Sequence, residues 1–104
     1  MNLIEKIINR KYTINEVLNT GVIHCKTEQE MIKVFKALEK MGLKWATGKE
    51  LLERIPWEEY ETETCVEVEN GKVYYAERSY YVENQPQSKI YSFEELAQIE
   101  NEII

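Results

Sequence analysis

Apolar residues at Met31, Val34, Phe35, Leu38 and Met41 recur at steps of three and four, the period of a helix that buries one stripe. A helix from about Glu28 to Met41 follows, ended by Gly42 and wide enough in its stripe to pack on a sheet. Its other side carries Lys33, Lys36 and Lys40, a solvated ridge toward the C-terminal end where cations are favoured. From Thr64 to Glu77 the period changes to two, and Asn70-Gly71 interrupts the alternation. That dipeptide is the usual centre of a type I' hairpin. A two-residue loop fixes the register, so Glu69 pairs with Lys72, Glu67 with Tyr74, Cys65 with Ala76 and Glu63 with Arg78 on one polar face. Val68 with Val73 and Val66 with Tyr75 form the core face. Where Thr64 meets Glu77 the core face turns polar, so the strand leaves the core, bends or reaches a site there.

Shorter signals fill in the rest. "GVIHC" reads as a strand and "LKWA" as a second, and a turn at "ENQPQS" returns the chain into "KIYSF" as the last. Four capping boxes, Thr13 to Glu16, Thr27 to Glu30, Thr47 to Glu50 and Ser92 to Glu95, open helices. Asn2 to Glu5 is a weaker fifth, and short helices are predicted at about 3–10, 14–19, 48–54 and 93–100. The order α-α-β-α-β-α-β-β-β-α describes an α+β fold, a small, mainly antiparallel sheet with the long helix on one face and short flanking helices. A length of 104 residues fits a single domain, 1–104, with residues 1–20 a candidate helical arm for pairing with a second subunit.

Charge changes this picture more than composition does. The net charge is -6 and all 19 acids are glutamates. Glu58, Glu59, Glu61, Glu63, Glu67 and Glu69 lie between Ile55 and Gly71 with no lysine or arginine among them, so that stretch alone carries the imbalance. No apolar run spans a bilayer and charges interrupt the N-terminal apolar pattern, which predicts a cytoplasmic chain without a membrane partner. Cys25 and Cys65 are too few for a disulfide scaffold and are expected reduced and buried.

Catalytic and metal chemistry find little to stand on. His24 and Cys25 are adjacent in a strand and point to opposite faces, so they make a poor dyad. One histidine, two cysteines and no aspartate do not furnish a zinc or calcium site, and Gly42 and Gly48 lack the setting of a phosphate loop. With 19 solvated glutamates, a carboxylate pair suited to sugar hydrolysis arises by chance. The lysine ridge is too small for strong nucleic-acid binding, and the tyrosines of "KVYYAERSYYVE" alternate between faces instead of forming one stacking platform. The expectation is a non-enzymatic chain without cofactor, metal or direct nucleic-acid contact. Trp45, between Gly42 and Gly48, reads as a core anchor whose indole N–H needs one acceptor.

The run "VIHCKTEQE", an amphipathic helix and then "KMGLKWATG" resembles a pattern in small uncharacterised phage and prophage proteins: an apolar strand, a Thr-x-Glu-Glu helix start, and Gly-x-x-Trp-x-x-Gly. The resemblance covers residues 22–48 and implies a compact α+β fold, a phage-related origin and a role among inhibitors of host or defence proteins, as anti-CRISPR proteins are. It transfers no functional residue. From the residues themselves, "IPWEEYETE" places Trp57 and Tyr60 on one face of a helical turn with Glu58, Glu59 and Glu61 toward water. That arrangement suits first a packed lid, and next a surface for a basic partner protein in which Trp57, Glu58, Glu59, Tyr60, Glu61, Glu63, Glu67 and Glu69 form an acidic band resembling nucleic acid in charge. Two other readings compete: a small-ligand sequestering protein with a pocket at His24, Trp45, Glu77 and Arg78, and a structural homodimer or larger homo-oligomer.

Overall fold

The computed structural model describes residues 11–96. The predicted helix at 3–10 and the part of the 93–100 helix beyond Leu96 lie outside them, as does the Asn2 to Glu5 cap. Helix α1, Ile14–Thr20, runs into strand β1, Gly21–Cys25, and α2, Glu28–Lys40, follows. Strand β2, Lys44–Trp45, precedes the one-turn helix α3, Trp57–Tyr60, and the hairpin of β3, Thr64–Glu69, and β4, Lys72–Glu77. Helix α4, Arg78–Asn84, and strand β5, Lys89–Ser92, complete the order. The sheet order is β2-β4-β3-β1-β5. Its centre is antiparallel, β4 with β3 and β3 with β1, and each edge strand joins in parallel.

The architecture is the α+β arrangement that the periodicity predicts. In α2, Met31, Val34, Phe35 and Leu38 are all fully buried, each such side chain contributing roughly 1.5–3 kcal/mol of hydrophobic stabilisation. They meet Ile23, Cys25, Val66 and Val73 from one face of the sheet, and Ile14 and Val17 of α1 extend this core. Thr13 Oγ1 accepts from the Glu16 N–H and the Glu16 carboxylate accepts from the Thr13 N–H, closing the capping box that starts α1. Thr27 caps α2 in the same manner, while the Glu30 carboxylate accepts from the N–H of Lys26. The hairpin register is the one the two-residue loop dictates, from Glu69 opposite Lys72 to Thr64 opposite Glu77, with Asn70 and Gly71 at φ 53° and 77°.

The other face of the sheet holds a smaller core of Val22, Cys65 and Tyr81, with Ala76 and Ile90 packed against it. Its cover is α4, at Arg78–Asn84, where the tyrosine-rich sequence reads as a continuing strand. The ladder stops at Thr64 and Glu77, so Glu63 and Arg78 are not cross-strand partners and form no ion pair. Thr64 is fully buried at that end, its hydroxyl bonded to the Glu61 carbonyl.

Three further expectations are corrected. The 48–54 helix shrinks to a single 3-10 turn at Leu51–Glu53, and the Thr47 box gives way to Glu53, whose carboxylate accepts from the Glu50 N–H. The Ser92 box opens another short turn, Phe93–Glu95, with the Glu95 carboxylate accepting from the Ser92 N–H. Residues 11–20 do not stand away as an arm: Ile14 and Val17 are buried, and the Tyr12 N–H donates to the Glu95 carbonyl. Buried apolar side chains hold this segment on the domain.

Candidate functional site

The acidic segment opens with Pro56, which is buried, and folds into one helical turn. Spacing of three brings Trp57 and Tyr60 to the inner side. Trp57 is half-buried against the main core, and the Tyr60 ring lies 6.1 Å from that of Tyr75 on β4. Glu59 is exposed, as expected, but it is not free. Its carboxylate accepts from Arg54 Nη2 at 2.8 Å and from the Tyr75 hydroxyl at 2.8 Å. Burial pushes the Tyr75 phenol above its ordinary pKa, and the bond to Glu59 acts in the same direction.

After Tyr60 the chain reverses sharply. Glu61 has φ 45° and ψ -121°, the dihedrals of the first central residue of a type II' turn, a place normally taken by glycine. Holding a glutamate there costs on the order of 1–3 kcal/mol. Two side chains fasten the turn: Thr64 Oγ1 donates to the Glu61 carbonyl at 2.8 Å, and His24 Nε2 lies 2.6 Å from the Thr62 carbonyl. A carbonyl only accepts, so Nε2 is the protonated nitrogen of His24. Glu58, Glu61 and Glu63 are exposed around this turn and make no ion pair with another described residue. Three exposed carboxylates, in ion pairs with no described residue, thus surround a strained turn anchored by two aromatics.

The proposed acidic band does not continue along the hairpin. Val66 and Val68 face the main core, so Glu67 points to the opposite side of the sheet, where its carboxylate accepts from the Tyr81 hydroxyl at 3.1 Å. Burial raises the Glu67 pKa, the Tyr81 bond opposes this, and Glu69 adds to it. Glu69 is exposed opposite Lys72 at the far end of the hairpin. The set named from sequence therefore divides: Trp57 and Tyr60 lie on the main-core side, Glu67 and Glu69 point to the other, and Glu63 stands in the turn between them, where its charge acts on Cys65. Alternation within β3 is the reason.

The residues of the alternative pocket are not brought together either. Trp45 sits on edge strand β2 and His24 on β1, with β4 and β3 between them. Glu77 and Arg78 lie at the end of β4 and the start of α4. Trp45 instead packs edge-on against Phe35 at 5.2 Å and Tyr75 at 5.7 Å, and its indole N–H donates to the Leu51 carbonyl at 3.3 Å. The core-anchor role and its single acceptor are both met.

His24 does acquire a cysteine neighbour, but across the ladder: Cys65 of β3 is its register partner. Sequence reasoning missed this pair, since only the pairing of β1 with β3 creates it. The pair is chemically quiet. Cys65 is fully buried with its thiol pushed up to about 12, chiefly by burial, and the His24 Nε2 is committed to Thr62. Cys25 is buried on the other face, and burial raises its thiol as well. Among the described residues no group of three or more His, Cys, Asp or Glu side chains could hold a metal ion. No described helix is long and apolar enough to cross a membrane.

Compared with family models, with curated proteins and with solved structures, the chain matches none of them. The site must be read from its own geometry.

Proposed function

We propose that the chain is a non-catalytic protein-binding module whose working surface is the turn from Trp57 to Glu63, set against a basic patch of a partner protein. The observation that carries this reading is the combination at that turn: exposed Glu58, Glu61 and Glu63 in ion pairs with no described residue, inward Trp57 and Tyr60, and a glutamate where a glycine would relax the backbone. Strain of this kind persists when the surrounding structure over-determines it, and it clusters at binding and switch sites. A rigid acidic projection complements a basic surface without ordering cost at the moment of contact. Glu67 and Glu69 take no part in this surface, because the sheet turns them away.

The partner class follows from the phage-type resemblance of residues 22–48: a host or defence-system protein, inhibited by occupation of a basic groove, as an acidic nucleic-acid mimic would do. A cytoplasmic site of action in the host cell belongs to the same proposal. The test is capture from a bacterial host lysate with the parent chain and with the triple variant Glu58→Lys, Glu61→Lys, Glu63→Lys. All three positions are exposed and form no ion pair among the described residues, so the variant keeps its fold. A partner held by the parent and released by the variant supports the reading; a partner held equally by both removes the turn from the interface.

A further inference from the structure

Strand β2 pairs with β4 over only two residues, Lys44 opposite Lys72 and Trp45 opposite Val73, and then leaves the sheet. Strand β4 continues to Glu77, and beyond Val73 no described strand lies along its outer edge. The hairpin register decides which backbone groups face that edge. A two-residue loop makes Glu69 and Lys72 a hydrogen-bonded pair, and such pairs alternate along an antiparallel ladder. Lys72, Tyr74 and Ala76 therefore direct their N–H and C=O groups to β3, whereas those of Val73, Tyr75 and Glu77 point outward. Val73 meets β2, and the Glu77 carbonyl belongs to the first turn of α4. The Tyr75 N–H, the Tyr75 carbonyl and the Glu77 N–H are left, and no turn or loop backbone among the described residues bonds to them.

Beside this edge lies a groove of about 600 Å³, bounded by the departing loop after Trp45, by Glu53 and Arg54, and by β4 at Val73–Tyr75. Trp45 and Tyr75 touch edge-on with ring centroids 5.7 Å apart, so they form one continuous wall with no slot between them. Phe35 and the Leu51 carbonyl hold Trp45, and Glu59 holds the Tyr75 hydroxyl. Tyr74 points its side chain to the opposite face of the sheet, beside Glu67. The rim has no net charge, because Arg54 is paired with Glu59 at 2.8 Å and Lys49 and Glu53 cancel. An apolar wall with a neutral rim, set against outward N–H and C=O groups, complements an extended backbone with uncharged side chains and favours neither sign of charge. Its length is limited. Strand β2 closes the edge at Val73 and α4 begins at Arg78, which leaves Tyr74–Glu77, roughly 13 Å of strand.

We infer that the open edge of β4 takes a short, extended, uncharged peptide as a sixth strand of the sheet, with an apolar β-branched residue opposite Tyr75. Backbone bonds to Tyr75 and Glu77 supply the affinity of strand addition. The peptide side chain opposite Tyr75 shares that residue's face and lies on the wall of Trp45 and Tyr75, where aromatic and β-branched side chains pair well across strands. Its neighbours turn to the face of Tyr74, which is exposed and demands only that they be uncharged. The site is separate from the acidic turn, and the two differ in kind: backbone pairing at a neutral edge is insensitive to salt, whereas a charge-driven contact is not.

The test is a titration of the isotope-labelled protein with the peptide acetyl-Thr-Val-Thr-Val-Thr-amide, followed by backbone amide signals in two-dimensional NMR and by amide hydrogen exchange. The expected result is a saturable shift of the Tyr75 and Glu77 amides and exchange at both slowed at least about fivefold at saturation, while Tyr74 and Ala76, already bonded to β3, keep their rates. Added salt should change the affinity by less than about twofold, and peptides with glutamate or with lysine in place of both valines should each bind at least about fivefold more weakly. Glu77→Pro removes the outward N–H and no bond to β3; Glu77 is exposed at φ -76°, an angle that proline adopts, so the variant keeps its fold. It should weaken the valine peptide about three- to tenfold, and Glu77→Ala, which keeps the N–H, by less than about twofold. No saturable shift at Tyr75, a charged peptide that binds better than the neutral one, or equal affinities in Glu77→Pro and Glu77→Ala would overturn the assignment.

Discussion

Replacing Glu61 by glycine should make the protein more stable, although it removes a side chain and adds backbone freedom to the unfolded chain. The residue sits at φ 45° and ψ -121°, held there by the Thr64 bond to its own carbonyl and by His24 on the next one. Releasing that strain returns roughly 1–3 kcal/mol, and the extra entropy of an unfolded glycine takes back about 0.5–1 kcal/mol. The net gain is then between about 0 and 2.5 kcal/mol, centred on roughly 1 kcal/mol, enough to raise the thermal midpoint by several degrees in a domain of about this size. Glu61→Ala is the control, because alanine loses the same carboxylate but is no happier than glutamate at positive φ. It should stay within about 0.5 kcal/mol of the parent. Urea and thermal unfolding followed by circular dichroism compare the three chains. If the glycine variant is no more stable than the alanine one, the turn is not strained and this part of the argument fails. If the turn is the working surface, both variants should bind the partner less well, and only one should be a better-folded protein.

Two other perturbations test the fold around the site. A Cβ on Gly21 would lie 1.8 Å from the Lys89 carbonyl oxygen, which is backbone and cannot swing aside; Gly21→Ala should therefore cost at least about 2 kcal/mol and expose the β5 amides to hydrogen exchange, and a loss below about 1 kcal/mol would mean that β5 is not pressed against β1. Because burial raises the Glu67 pKa, the folded chain holds that proton more tightly than the unfolded one, so this group's contribution falls as pH rises from the ordinary glutamate range through its raised value. Glu67→Gln should consequently be the more stable chain at neutral pH, with the difference vanishing in acid, and denaturant midpoints measured across that range would contradict this if the gap widened on acidification.

Legibility from sequence followed the range of the forces involved. The register from Glu69–Lys72 to Thr64–Glu77 is set by two residues, Asn70 and Gly71, so it was open to reading. The α2 stripe and the Thr13 and Thr27 caps are equally local. The helix at Arg78–Asn84 was not legible, because "RSYYVEN" has the β-favouring residues of the preceding strand and becomes helical by burying Tyr81 under the sheet with Val22 and Cys65. Nor could the sequence show Arg54, Glu59 and Tyr75 meeting: Arg54 and Glu59 are separated by an irregular stretch, and Tyr75 arrives only when the hairpin docks. Parity along β3 already sets Glu67 on the face away from Val66 and Val68, as the register bears out. The cluster of glutamates was visible in the sequence, but its division between two sides of a sheet needed the packing of α3 and α4.

The proposed binding role rests most heavily on the charge of the turn at Glu58, Glu61 and Glu63, which pairs with no described cation. Its most direct test is the affinity of a captured partner for the parent and the triple lysine variant, measured by calorimetry at low and at high salt. Salt should weaken the parent complex, since exposed charges are screened beyond about 8–10 Å at ionic strengths of 0.10–0.15 M, and the variant should bind at least about tenfold more weakly even at low salt. Equal affinities for the two chains, unchanged by salt, would contradict it.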